Sequence, residues 1–373
     1  MDIICLQENL KQALNITERI IGRNLTLPIL NNILLGVENN KLKISSTNLE
    51  IGVSAWVSGK IQKKGAITIP ARLITDFVNN LPNKKIELKS NNNQLILKSE
   101  KFKATLNGLP ADDYPIIPKI KNDPVVKIKG ALLKNDLSQV VEMASISESR
   151  PEISGVYMKF EKDLIKLAAT DSFRLAEKNI EISLNKGNEG QSVIIPQRTI
   201  QELIRILGER DLDNSNQEQE VEIVLSGNQI LFDLGYAQLI SRLIEGQYPD
   251  YQQVIPSKII TQVIINRGEL IKSIKLASLF SGKVNDIKVV INPQKSFLEI
   301  SSKNTDIGEN KSQIKAEVEG NQTEVFFNYR YLLDGLNNIF SDKVIVALGD
   351  NEKTIIRPVG DINYTYVVMP IKI

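Results

Sequence analysis

The chain repeats itself three times, and that constrains its fold more than any single motif does. ITIPARLITDFVNNLP (67–82) matches VIIPQRTIQELIRIL (193–207) and VFFNYRYLLDGLNNI (325–339). Each opens on an apolar β-type pair and continues with apolar residues at i, i+3, i+4 and i+7, the pattern of an amphipathic helix. Arg72, Arg198 and Arg330 fall at the same point in all three. Upstream stand SSTNLEIGV (45–53), AATDSFRLA (168–176) and SSKNTDIGE (301–309). Thr47 to Arg72, Thr170 to Arg198 and Thr305 to Arg330 span 25, 28 and 25 residues. Near-constant spacing between two matched segments is far harder to produce by chance than either match alone.

Each unit also opens on a helical pattern: CLQENLKQALNITERII (5–21), ALLKNDLSQVVEMAS (131–145) and RGELIKSIKLASLF (267–280). The text between these landmarks alternates in short apolar and polar steps, with NNNQ and SGNQ as hairpin turns, which predicts antiparallel strands. The expected organisation is α+β: three repeated domains, each with two helices on antiparallel sheets, at 1–120, 121–256 and 257–373. The joins fall near IPKIKNDP and IPSKII. The first two units close with NGLPADDYPIIP (107–118) and EGQYPDYQQVIP (245–256), the third with YVVMPIKI. Their acids read as strand-end turns, Asp supporting the turn and Tyr-Pro fixing the bend.

Composition narrows the chemistry. The chain has no histidine, which excludes Ser-His-Asp and Cys-His catalysis and histidine-built zinc sites. No phosphate-loop, dinucleotide or CxxC pattern is present, so no cofactor and no metal is expected. Cys5 is the single cysteine, which agrees with a reducing, cytoplasmic setting, and no secretory pattern or membrane-spanning run is visible. The charge is even, 46 basic against 44 acidic residues, so contact with nucleic acid would need basic residues gathered on one face. Lys11, Arg19, Lys134, Arg198, Arg205, Lys272, Lys275 and Arg330 are expected on exposed helix faces. Glu8, Glu18, Asp136, Glu142, Glu202 and Asp334 stand on the same helices, so a DNA-facing surface and ordinary solvated faces both remain open. A repeat-scaffold nuclease and a protein-interaction scaffold that never meets DNA are the alternatives, although no acid cluster unique to one unit supports the nuclease.

Taken in order, LTLPILNNI (25–33), STNLEIGV, TIPARLITDFVNNLP, SESRPEISGV (147–156), ATDSFRLA, YPDYQQVIP and YVVMPIKI resemble the bacterial DNA polymerase III beta subunit, the sliding clamp family. The resemblance covers the whole chain and implies a head-to-tail homodimer, a ring of six domains around duplex DNA with no catalysis of its own. It implies as partners the polymerase catalytic subunit, an ATP-dependent clamp loader and other clamp-binding replication and repair proteins, with no membrane. Partners of the family insert a short peptide into an apolar pocket. The matching positions are Ile153, Thr170, Ser172, Phe173, Arg174 and Leu175, then Pro249, Gln253 and Val254, then Val367, Val368, Met369, Pro370, Ile371 and Ile373. DNA contacts map to Arg23, Asn24, Ser149 and Arg150, with Arg198 on the helix face. The ring interface maps to Ala104 and Leu106 against Leu279 and Phe280 of a neighbour. Ser172-Phe173 stands where the family often has glycine-histidine, Gln253 where arginine is frequent, and Ala104 where an aromatic is usual.

Overall fold

The computed structural model describes residues 1–22, 27–147, 149–182, 189–209 and 219–372. In the first repeat, β1 (Asp2–Leu6) leads into α1 (Gln7–Glu18), then β2 (Asn32–Glu38), β3 (Lys41–Thr47), β4 (Ile51–Val57), β5 (Gly59–Lys63) and β6 (Ala66–Pro70). Helix α2 (Ala71–Asn79) precedes β7 (Lys85–Asn91), β8 (Gln94–Ser99) and β9 (Phe102–Asn107). The second repeat runs β10 (Val126–Lys129), α3 (Gly130–Val140), β11 (Gly155–Glu161), β12 (Leu164–Thr170), β13 (Arg174–Glu181) and β14 (Ser192–Pro196). It ends with α4 (Gln197–Glu209), β15 (Glu220–Ser226), β16 (Gln229–Asp233) and β17 (Ala237–Arg242). The third runs β18 (Ile259–Asn266), α5 (Arg267–Ser278), β19 (Asp286–Asn292), β20 (Phe297–Asn304), β21 (Gly308–Lys315) and β22 (Glu317–Gly320). It closes with β23 (Thr323–Asn328), α6 (Tyr329–Asn337), β24 (Lys343–Gly349), β25 (Thr354–Pro358) and β26 (Tyr364–Val368).

The chain divides into two compact units, one chiefly Met1–Lys134 and Arg198–Leu243, the other chiefly Asn135–Ser183 and Ile244–Ile373. The first holds a five-stranded sheet, β5-β1-β7-β8-β9, and an eight-stranded one, β10-β15-β16-β17-β4-β3-β2-β6. The second holds a nine-stranded sheet, β14-β11-β12-β13-β26-β25-β24-β18-β22, and a four-stranded one, β21-β20-β19-β23. Each repeat therefore supplies two half-sheets, and a half-sheet of one repeat is hydrogen-bonded to a half-sheet of the next. The seams are antiparallel: Gly52 faces Ile240 where β4 meets β17, and Leu175 faces Val367 where β13 meets β26.

The helices follow their apolar spacing. Helix α1 buries Leu10, Ala13, Leu14 and Thr17, and α2 buries Ala71, Ile74, Thr75 and Val78. Both sets are spaced i, i+3, i+4, i+7, a stripe that covers a sheet, and α1 buries Gln7 and Ile16 besides. At the strand-to-helix corner, Pro70 and Pro196 stop the ladder in the first two repeats. Asn328 occupies that place in the third and accepts a hydrogen bond from the Arg330 amide at 3.0 Å. In α6, Gly335 leaves room for the buried ring of Tyr366, which a β-carbon there would overlap. The Tyr366 hydroxyl donates to the Tyr331 carbonyl at 2.7 Å.

Three expectations change. Helix α1 starts at Gln7, because Cys5 and Leu6 belong to β1, which is paired on both sides by β5 and β7. Arg205 is not an exposed helix-face cation: its guanidinium donates to the carbonyls of Asn15 at 3.2 Å and Ile16 at 2.8 Å. It thereby caps the C-terminal turn of α1 while pairing with Glu202 and Glu209. Thr305 is not the counterpart of Thr47 and Thr170, which end strands; the last pair in the third repeat is Asn304 with Gly308, leaving Thr305 inside a shorter turn. The PADDYP segment forms a 3-10 turn at Ala111–Asp113. It delivers Tyr114, whose hydroxyl donates to the Asn32 carbonyl and accepts from the Thr47 amide, both at 3.2 Å.

Candidate functional site

The resemblance-derived pocket residues gather in the second unit, around the end of β12, the start of β13 and the chain's final strand. The turn between β12 and β13 is locked by its own side chains. Thr170 Oγ1 donates to the Arg174 carbonyl at 2.7 Å, and Asp171 Oδ1 accepts from the amides of Phe173 and Arg174, both at 3.0 Å. Ser172 holds a left-handed φ of 79°, which a glycine would adopt more easily. The Met369 amide donates to the Phe173 carbonyl at 2.9 Å, and the Ile371 amide to the Phe326 carbonyl at 2.7 Å, which fixes the segment after β26.

Below this turn lies an apolar cluster. Ile153, Leu175 and Val367 are buried in it with Ala168, Tyr248 and Tyr251, and Val254 packs partly buried against it. Three tyrosines brace the cluster: Tyr157 stacks on Tyr248 at 4.9 Å, and Tyr251 meets both edge-on. The Tyr251 hydroxyl donates to Glu177 at 2.7 Å, and burial, with the Glu177 charge beside it, pushes its pKa up. Val368 is also fully buried. Ile153, Leu175, Val367 and Val368 are thus closed off from the surface. The accessible members are Ser172, Phe173 and Gln253, with Pro249, Met369, Pro370 and Ile371 half-buried. Gln253 bonds Asp250 at 2.8 Å. Ile373 lies outside the described residues.

Phe173 is 59% exposed, with its ring stacked on Tyr331 at 6.1 Å. Arg174 is no free rim cation. Its guanidinium lies 4.8 Å from the centre of the Tyr331 ring, bonds Asp171 at 3.0 Å and pairs with Asp334. The sequence pattern does not mark Tyr331, Asp171 or Asp334 as site residues. Asp171 was legible beside Thr170, whereas Tyr331 and Asp334 stand on α6, more than a hundred and fifty residues downstream of the turn they hold.

Of the DNA-facing candidates, Ser149 is exposed and bonded to the Ser147 hydroxyl at 2.7 Å. Arg150 pairs with Glu152 at 3.1 Å and donates to the Ser172 hydroxyl at 3.0 Å, which brings it to the pocket's turn. Arg198 donates to the Ile20 carbonyl at 3.2 Å, just beyond α1. Arg23 and Asn24 lie outside the described residues. At the interface positions, Ala104 and Leu106 stand on β9, an edge of its sheet, with Leu106 only 6% exposed. Leu279 and Phe280 follow α5; Leu279 is 67% exposed, and Phe280 borders Gly308 at the start of β21.

Models of the N-terminal, central and C-terminal domains of the DNA polymerase III beta subunit match residues 1–118, 127–250 and 252–372. The beta sliding clamp of Staphylococcus aureus is 31% identical over 370 residues, which cover 96% of each chain. That of Synechocystis is 29% identical and covers both chains completely. Among solved structures, a DNA polymerase sliding clamp from Bacillus subtilis superposes with a TM-score of 0.92 at 29% identity, covering 100% of this chain and 99% of that one. A sliding clamp from Pseudomonas aeruginosa, bound to griselimycin, gives 0.93 at 27% identity with full coverage of both.

Proposed function

Because the chain belongs to the DNA polymerase III beta subunit family, the bacterial sliding clamps, we propose that two copies close head to tail around duplex DNA and tether a polymerase to it. The family is a non-catalytic processivity factor of replication, which sets aside the nuclease and scaffold alternatives. The observation that carries the ring is the fate of equivalent strands. In half-sheet order, β4, β13 and β21 correspond, as do β9, β17 and β26. Within the chain β4 pairs with β17 and β13 with β26, while β21 and β9 are left at sheet edges. A third seam of the same kind needs β21 of one copy against β9 of another, a heterologous contact that closes when two chains complete the circle. An unpaired edge otherwise exposes a row of open backbone donors and acceptors.

In this reading the domains are 1–120, 121–256 and 257–373. DNA is held by topology, with loose phosphate contacts from Arg23, Asn24, Ser149, Arg150 and Arg198, in the cytoplasm. An ATP-dependent loader opens the ring. The polymerase and other replication and repair proteins dock a short peptide over Phe173, Gln253 and the segment Met369–Ile373, with the buried cluster as floor. Tethering keeps the polymerase at high effective concentration on its template.

The test is to load the protein onto nicked circular DNA and then linearise it. A clamp survives a high-salt wash on the circle and runs off the linear form. Release from both at the same rate refutes encirclement.

A further inference from the structure

The turn beside the seam between β4 and β17 repeats the side-chain-to-backbone bonds that lock the turn between β12 and β13. Thr47 Oγ1 donates to the Ile51 carbonyl at 2.9 Å and accepts from the Leu49 amide at 3.0 Å. Asn48 Oδ1 accepts from the amides of Glu50 at 3.1 Å and Ile51 at 2.7 Å. These are the bonds that Thr170 and Asp171 make one repeat later. Leu49, at φ 78°, takes the left-handed place of Ser172, at φ 79°. Where the later seam pairs Leu175 with Val367, this one pairs Gly52 with Ile240. Ile117, from the connection after the first repeat, fills the missing volume; a β-carbon on Gly52 would lie 2.9 Å from its Cγ2.

Two clefts, of about 250 and 280 Å³, open along the seam, and Ile117, Pro118 and Ile240 line both. Leu49 is 48% exposed at the first, and Ile116 is 92% exposed beside it. The charged groups around the pair are Lys43, Lys119, Lys121 and Arg242 against Glu38 and Glu50. Glu38 pairs with Lys43 at 2.8 Å and with Lys119, and Arg242 stands 3.7 Å from Glu50. An apolar seam with this surplus of positive charge complements a peptide of the opposite pattern.

We propose that the β4–β17 seam is a second peptide-docking site, taking a short acidic segment of a partner protein with an aliphatic anchor. The proposal rests on the reading of the β13–β26 seam as a peptide pocket, but it is read out on different residues. The experiment is methyl NMR of the full-length protein, isoleucine-labelled, titrated with the acetylated hexapeptide DELILD or its basic counterpart KKLILK. Saturable shifts at Ile117 and Ile240 with the acidic peptide, at least fivefold weaker with the basic one, are expected. Arg242→Glu combined with Lys121→Glu should weaken the acidic peptide about fivefold at those methyls, since the charges are exposed and individually modest. Both side chains lie at the surface, so the fold is retained. The inference is overturned if Ile117 and Ile240 do not respond saturably, if both peptides shift them equally, or if charge reversal leaves the affinity unchanged. Silence at Ile153 and Ile371 counts instead against the pocket over the later seam.

Discussion

Asp136 gives the sharpest handle on the second unit. It stands on the buried stripe of α3, flanked by Leu133, Leu137 and Val140, at a position where the helical pattern calls for an apolar residue. Lys178 Nζ lies 3.7 Å from its Oδ1 but closer, 3.2 Å, to Asp361, and Asp136 Oδ2 has no hydrogen-bond partner among the described residues. Burial raises its pKa from 3.8 to about 6; Lys178 opposes the rise and Asp361 adds to it. The folded value lies above the unfolded one, so the associated stability is full below pH 3.8 and is lost as pH rises through about 6. The loss amounts to about 3 kcal/mol. Asp136→Asn substitutes a neutral group for the protonated acid, at a cost of about 1 kcal/mol for an amide nitrogen placed without a partner. The variant should therefore be more stable than the parent by about 2 kcal/mol at pH 8, and slightly less stable at pH 4. Urea unfolding at both pH values, with unchanged slope, reads the difference. A variant whose stability relative to the parent is the same at both pH values, or worse at pH 8, would mean that attraction to Lys178 balances or outweighs desolvation, and would refute the reasoning.

Arg205→Met should cost about 2 kcal/mol, because two α1 carbonyls and two carboxylates lose a nearly buried partner; hydrogen exchange should show the last turn of α1 opening first. Gly335→Ala should destabilise by about 1–3 kcal/mol through overlap with Tyr366, seen as a lowered denaturation midpoint. Leu279→Asp, at a residue exposed in the single chain, should raise the dimer dissociation constant at least tenfold, or about 1.4 kcal/mol, by light scattering. A chain ending at Val368 should still assemble but lose polymerase stimulation; retained stimulation would remove Met369–Ile373 from the docking site.

The threefold organisation was legible because a repeated spacing survives without any knowledge of contacts. Alternation shows which face of a strand is buried, but not which strand lies beside it. The union of β4 with β17, and of β13 with β26, joins segments more than 180 residues apart, and no local pattern encodes it. The same limit explains Arg205. On α4 it reads as one more basic residue on a helix face, and only the fold reveals the α1 carbonyls it serves. The pocket divides along this line too. Thr170 and Asp171 announce their turn because Thr47 and Asn48 repeat it, whereas Tyr331 and Asp334 reach Arg174 only through packing. What the topology adds is a count. Three repeats joined in line use two seams, so one β9-type edge and one β21-type edge are left over in every chain. The hydrogen bonds that satisfy β17 and β26 inside the chain have no counterpart for β9 among the described residues, and in the proposed ring the β21 edge of a second copy would supply them.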